Sequence, residues 1–178
     1  MIWPEETPGF VLDVMARKAL WEVQKDYGHG TGHGVGAALN VHEGPHSISP
    51  RWNNKEPLKA AMIVSNEPGY YEDGRFGIRI ENLLEIEMVD EGEKSVFNGD
   101  DSINPPVGKT SKQFLKFRPL TLIPIQKSLI RLEIMTKEEL DWLDSYHNVV
   151  WEKISKLMED DTPGKEWLRK SCEKIERI

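Results

Sequence analysis

The spacing of apolar positions changes along the chain, and each change predicts an element. Thr7-Pro8 is a helix-start signal, after which Val11, Val14, Met15 and the Leu20-Trp21 pair recur at helical spacing, so an amphipathic helix is predicted over about residues 8–26. Helical periodicity then stops at GHGTGHGVG, residues 28–36, where five glycines occupy alternate positions and allow the backbone to approach something closely. A β-branched run over residues 62–66 ends in Glu67-Pro68-Gly69, and strict alternation follows over residues 76–88. There Ile78, Ile80, Leu84, Ile86 and Met88 face one way, while Arg79, Glu81, Glu85 and Glu87 face the other, joined by Leu83. Asp73-Gly74 reads as the turn between two strand-like segments.

Residues 89–113, rich in Asp, Pro and Gly, read as a long polar loop leading to a further strand over residues 114–125. The last third is helical. Thr136 and Glu139 form a capping box, a stripe of Leu140, Leu143, Val150, Ile154 and Leu157 marks one long helix, and Thr162-Pro163 starts another through Trp167, Leu168 and Ile175. The predicted class is α/β (α+β), a curved, mainly antiparallel sheet flanked by helices, with a first domain over residues 1–125 and a helical extension over residues 126–178. There is no internal repeat and no low-complexity tract.

Composition narrows the classes of function. With 38% hydrophobic and 30% charged residues the chain reads as an ordinary globular protein, and a net charge of −7 with no basic stripe argues against a nucleic-acid partner. The single cysteine, Cys172, excludes an internal disulfide framework and fits a reducing compartment. MIWPEETPGF does not read as a signal peptide, and no run approaches the about 20 apolar residues needed to span a bilayer, so a cytoplasmic protein without a membrane partner is expected.

Four of the five histidines, His29, His33, His42 and His46, lie close together in and after the glycine-rich segment. Imidazole and carboxylate together suit zinc, manganese, cobalt or iron, although a polar loop with satisfied histidines would carry the same residues. His29 and His33 have the zincin spacing, but the glycines oppose a helix and no Glu follows His29. The glycines do not close a dinucleotide fingerprint either, because a helix precedes them. Carboxylates that could join the histidines are Glu67, fixed in direction by Pro-Gly, and Glu81, on the polar face of its strand beside Arg79. Taken singly, each is more often a solvated surface charge.

The runs GHGTGHGVG, NVHEGP, SNEPGYYEDGRFGIRIEN and FRPLTLIPI are long and correctly ordered, and they resemble the aminopeptidase P branch of the creatinase-like, pita-bread metallopeptidases. The likeness runs from about Pro8 to the last helix and identifies the chain as the C-terminal part of such a catalytic domain. It implies metal-dependent hydrolysis that releases an N-terminal residue preceding proline. It also implies two ions, manganese or zinc, held by Asp, Asp, His, Glu and Glu, of which His33, Glu67 and Glu81 match the last three, with Glu81 bridging. His29 and His42 match histidines that contact substrate and handle charge and protons, and Arg79 matches a residue that steadies the carboxylates. His46 and His147 match no site.

The two Asp ligands of the resembled family lie upstream of its matching helix, and Asp13 and Asp26 are not credible substitutes. At most one ion, weakly held, is therefore expected here. The implied partners are a peptide with proline in second position and either a second copy of the chain or the missing N-terminal half. The competing reading is a non-catalytic truncated homologue that serves as a dimerisation or binding module.

Overall fold

The computed structural model describes residues 1–38, 40–90 and 113–176, so most of the expected 89–113 loop lies outside the described residues. There are two compact units, Met1–Leu120 and Thr121–Ile178. Along the first run β1 (Ile2–Pro4), α1 (Gly9–Trp21), β2 (Gly32–His33), β3 (Ser47–Ile48), β4 (Ile63–Asn66), β5 (Gly69–Glu72), β6 (Phe76–Arg79), β7 (Asn82–Met88) and β8 (Phe114–Pro119). An antiparallel sheet in the order β1-β8-β7-β4 forms its centre, with β2-β3 and β5-β6 as separate two-stranded ladders.

The sheet has one buried face. Leu84 and Ile86 of β7, Val64 of β4 and Leu115 of β8 pack with Trp3, Leu12, Ile48 and Leu58, and the fully enclosed Leu58, Val64, Ile86 and Leu115 each contribute about 1.5–3 kcal/mol. On the opposite face Arg118, paired in register with Glu85, binds both Glu85 and Glu87. Alternation along β7 thus sets burial on one side and charge pairing on the other.

The alternating run over residues 76–88 is not one strand, as its pattern suggests, but two in different ladders. β4 pairs β7 from Ile63↔Glu85 to Asn66↔Asn82, and β5 pairs β6 from Gly69↔Arg79 to Glu72↔Phe76. Both ladders keep one register, so the skipped positions are Glu67 opposite Glu81 and Pro68 opposite Ile80. Pro68 has no N–H to give a ladder, which is a physical reason for the interruption to fall there. Beyond it Ile78 and Ile80 are exposed, at 39% and 47%, because β6 lies outside the sheet that covers Leu84 and Ile86. The turn at Asp73-Gly74 closes the β5-β6 hairpin, with Gly74 at φ 69°.

Two further expectations change. The first helix ends at Trp21, and its apolar stripe of Val11, Val14, Met15 and Trp21 is exposed. The buried side is instead Gly9, Leu12, Asp13 and Arg17, because Asp13 and Arg17 satisfy each other as an ion pair and can be enclosed where a lone charge could not. The strand expected over residues 114–125 stops at Pro119.

The second unit contains α2 (Lys137–Ile154) and α3 (Pro163–Cys172). Thr136 and Glu139 form the reciprocal capping box, and Thr162 accepts a hydrogen bond from the Lys165 N–H at the start of α3, with Pro163 as its first helical residue. Leu143 and Val150 are buried, whereas Leu157 falls beyond the end of α2 and is 82% exposed. Tyr146, Val150, Leu168 and Cys172 form this unit's core.

His147 is fully enclosed, and its Nε2 accepts from the Ile125 N–H at 3.1 Å. Burial, reinforced by Lys127, pushes its pKa below the ordinary 6.5. Unfolded chain therefore takes up a proton that folded His147 resists, so the stability is fully present above about pH 6.5 and declines as the pH falls. Urea unfolding followed by circular dichroism at about pH 7.5 and about pH 5.5 is expected to show a larger loss of stability for the unsubstituted chain than for His147→Gln. Equal losses would refute the assignment.

Candidate metal centre

The glycine-rich run places His33 by letting backbone meet backbone. β2 pairs β3, with Gly32↔Ile48 and His33↔Ser47, and Gly34 bridges to Val64 of β4. A Cβ on Gly32 would lie 2.0 Å from the Ser65 carbonyl oxygen, so only glycine permits this approach. The His33 N–H then donates to Ser65 Oγ at 3.0 Å.

The His33 ring is fixed at one nitrogen and offered at the other. Nδ1 lies 2.9 Å from the Gly34 carbonyl oxygen, which can only accept, so Nδ1 carries a hydrogen. Nε2 points at Glu67 Oε1, 3.0 Å away. In the neutral ring that contact brings a lone pair against a carboxylate oxygen, an arrangement that is favourable only with a proton or a cation between them.

Glu67 is buried and held at both oxygens. Oε1 accepts from Ser65 Oγ at 2.9 Å, Oε2 accepts from Arg79 Nη1 at 3.0 Å, and its N–H donates to the Thr31 carbonyl at 2.7 Å. Opposite it, across the break in the hairpin, stands Glu81. One ligand atom each from His33, Glu67 and Glu81 lies within 4.8 Å of the others, inside the roughly 3 to 5 Å expected of groups sharing one ion with bonds near 2.0–2.2 Å. One imidazole and two carboxylates make a donor set that fits a divalent metal.

Around these groups, Tyr71 joins Arg79 to His29. Arg79 Nε donates to Tyr71 Oη at 2.8 Å, and Tyr71 Oη lies 2.8 Å from His29 Nε2. Since His29 Nδ1 faces the Gly30 carbonyl at 2.8 Å, Nε2 is the acceptor in the neutral ring. The hydrogen bond that Arg79 donates to Tyr71 is also the first cause of a raised Arg79 pKa, so the guanidinium is charged beside Glu67. Tyr71 reaches this position by lying across Gly69, where a Cβ would stand 2.5 Å from its hydroxyl.

His42 lies against His33 with ring centroids 4.2 Å apart and the rings tilted by 44°, and it is exposed. His29, His33, His42, Glu67 and Arg79 all line one cleft of about 640 Å³. His46 lines it too, with Nε2 3.1 Å from the Ile63 carbonyl and Nδ1 buried without a hydrogen-bond partner among the described residues. The structure thus brings His29, His33, His42, His46, Glu67 and Arg79 to one cleft and Glu81 within ligand reach of His33 and Glu67, adds Ser65 and Tyr71, and leaves His147 in the second unit. Both were legible in principle, since Ser65, Glu67, Gly69 and Tyr71 are alternate residues and a period of two puts them on one face.

Comparison with known proteins gives concordant matches. A family model described as metallopeptidase family M24 matches residues 1–88, and one described as the C-terminal region of peptidase_M24 matches residues 113–175. Aminopeptidase P2 of Arabidopsis thaliana is 52% identical over 167 residues, which are 94% of this chain and 21% of that protein. The probable Xaa-Pro aminopeptidase P of Laccaria bicolor is 47% identical over 172 residues, 96% of this chain and 25% of that protein. Among solved structures, an X-prolyl aminopeptidase from Caenorhabditis elegans, described as a cytosolic enzyme with a di-nuclear active site, matches with a TM-score of 0.80 and 34% identity over 98% of this chain and 26% of that one. The chain spans about a quarter of the length of these relatives.

The close approach of β2 to β4 is directly testable. Gly32→Ala is expected to cost about 1–3 kcal/mol, the usual penalty for forcing atoms into a filled space, read as a lowered urea midpoint. Gly28→Ala, where a Cβ meets nothing within 4 Å, serves as the control and should change stability much less.

Proposed function

Because this chain belongs to metallopeptidase family M24 and shares the pita-bread fold of the X-prolyl aminopeptidase it matches, we propose that it contributes His33, Glu67 and Glu81 to the metal centre of an aminopeptidase P. The whole protein would release an N-terminal residue preceding proline. The observation that carries this reading is the meeting of the three donors where the long hairpin is interrupted. Manganese or zinc suits them, and such a cation supplies Lewis-acid polarisation of the scissile carbonyl.

The roles of the chain's own residues follow from their contacts. Ser65 and Arg79 keep Glu67 oriented and offset its charge, and Arg79 with Tyr71 also directs His29. His29 and His42 line the same cleft as His33 and Glu67, which supports them as the groups that contact a peptide and handle its protons. The division of labour assigns residues 1–125 to the partial catalytic domain and residues 126–178 to its helical extension.

Among the described residues no helix is long and apolar enough to cross a membrane. The cytosolic description of the Caenorhabditis elegans enzyme supports a cytoplasmic location. The exposed Val11, Val14, Met15 and Trp21 of α1 support association through that face, with an upstream half of the fold or with a second copy.

Three donors can hold one ion, and a second ion would have Glu81 alone among them. The 178-residue chain by itself is therefore expected to bind a single manganese or zinc ion weakly, with binding lost in Glu81→Ala, and to hydrolyse Arg-Pro-Pro near background. Each missing electrostatic contact of this kind costs about 10²–10³ in rate. Turnover should return when a separately made upstream half carrying two aspartates is mixed in. Substantial hydrolysis by the chain alone would overturn this account of the ligands, and calorimetry showing metal bound unchanged in Glu81→Ala would overturn the site.

A further inference from the structure

Beneath the glycine-rich segment lies a buried ion pair that the proposed chemistry does not use. Asp13 and Arg17 of α1 are 1% and 2% exposed and are joined by Arg17 Nε to Asp13 Oδ2 at 2.8 Å. A buried charge pair is weak evidence for stability, since well-packed apolar residues often do as well, so its other contacts decide what it is for.

Those contacts all go to one place. Arg17 Nη1 donates to the Tyr27 carbonyl at 2.7 Å, and to Asp26 Oδ1 at 2.7 Å, while Nη2 donates to the His29 carbonyl at 2.6 Å. Asp13 Oδ1 accepts from Thr31 Oγ1 at 2.7 Å, and Thr31 Oγ1 also pairs with Tyr27 Oη. Three residues of the segment over 27–31 are therefore tied to a single side-chain pair on a helix. Burial opposes the charge on Arg17, and its hydrogen bonds to Asp13 and Asp26 outweigh that and keep it cationic.

From Thr31 the connection reaches Glu67. The Thr31 carbonyl accepts the Glu67 N–H at 2.7 Å, so the same residue that Asp13 holds by its hydroxyl holds Glu67 by its backbone. A planar guanidinium with five donors in a fixed fork can clamp two carbonyls and a carboxylate at once, which a lysine ammonium cannot do with the same geometry. We propose that Arg17, paired with Asp13, is a positioning residue that sets His29 in place through the carbonyls of Tyr27 and His29 and, by fixing Asp13 against the Thr31 hydroxyl, sets Glu67 in place through the Thr31 carbonyl.

The part of this proposal that concerns the metal rests on the reading of His33, Glu67 and Glu81 as ligands, and the experiment separates the two. The full 178-residue chain is compared with Arg17→Met, Arg17→Lys, Thr31→Val and, as a control destabilised from the same helix, Leu12→Ala. The first measurement needs no metal: amide hydrogen exchange at Glu67, referred to Ile86, whose N–H donates to the Met62 carbonyl and reports opening of the sheet. Protection of Glu67 relative to Ile86 should fall about tenfold or more in Arg17→Met and Arg17→Lys, and less in Thr31→Val, but stay unchanged in Leu12→Ala.

The second measurement is cobalt(II) affinity and the visible spectrum of the bound ion. Affinity should drop about 10- to 100-fold in the Arg17 variants with a changed spectrum, and by a smaller factor in Thr31→Val, as for other groups that orient ligands from behind. Leu12→Ala should keep both. Unchanged Glu67 protection in the Arg17 variants, or in Thr31→Val if the Arg17 variants do not fold, overturns the proposal, as does equal loss in Leu12→Ala. Failure of the unsubstituted chain to bind cobalt would overturn the ligand assignment instead, leaving exchange at Glu67 to decide the positioning role.

Discussion

The candidate site depends on a single register kept across an interruption. Two ladders, β4 with β7 and β5 with β6, would form one long hairpin if Glu67-Pro68 and Ile80-Glu81 did not break it. Because opposed residues of antiparallel strands share a face, keeping the register across the gap leaves two carboxylates facing each other. Like charges directly opposite are destabilising in an ordinary sheet. Their place at the one point where the ladder is open, with His33 and Arg79 beside them, is what distinguishes this pair from surface acids.

Rigidity around that point comes from hydrogen bonds shared between functional groups. Ser65 accepts from the His33 N–H and donates to Glu67, and Tyr71 accepts from Arg79 while facing His29. Each of these hydroxyls serves two partners, so moving one side chain alters the aim of at least one other. The glycines perform the complementary task of removing bulk, bringing β2 against β4 and letting Tyr71 lie over β5.

The two units use enclosure differently. In the first, buried charge is paired, Asp13 with Arg17 and Glu67 with Arg79. In the second, His147 is enclosed with an acceptor nitrogen bound to the Ile125 N–H and is kept neutral by its surroundings. Its place within the α2 stripe gives it a packing role, in contrast with the four histidines that line the cleft.

Local chemistry made the elements legible from sequence. The capping box at Thr136, the Pro163 helix start and the Asp73-Gly74 turn depend on groups within a few residues of one another. The motifs carrying His33, Glu67 and Glu81 were legible for the same reason, since each is a short run with a fixed direction. Other features needed the fold. The exposed stripe of α1 could not be read as exposed, because an ion pair at Asp13 and Arg17 can be buried only once Thr31 and the carbonyls of Tyr27 and His29 surround it. Alternation over residues 76–88 showed which side chains share a face but not that they belong to two ladders, since pairing is decided by the partner strand. Likewise, sequence named the donors, while only the common register of β4-β7 and β5-β6, with β2 laid against β4, set their atoms within reach of one ion.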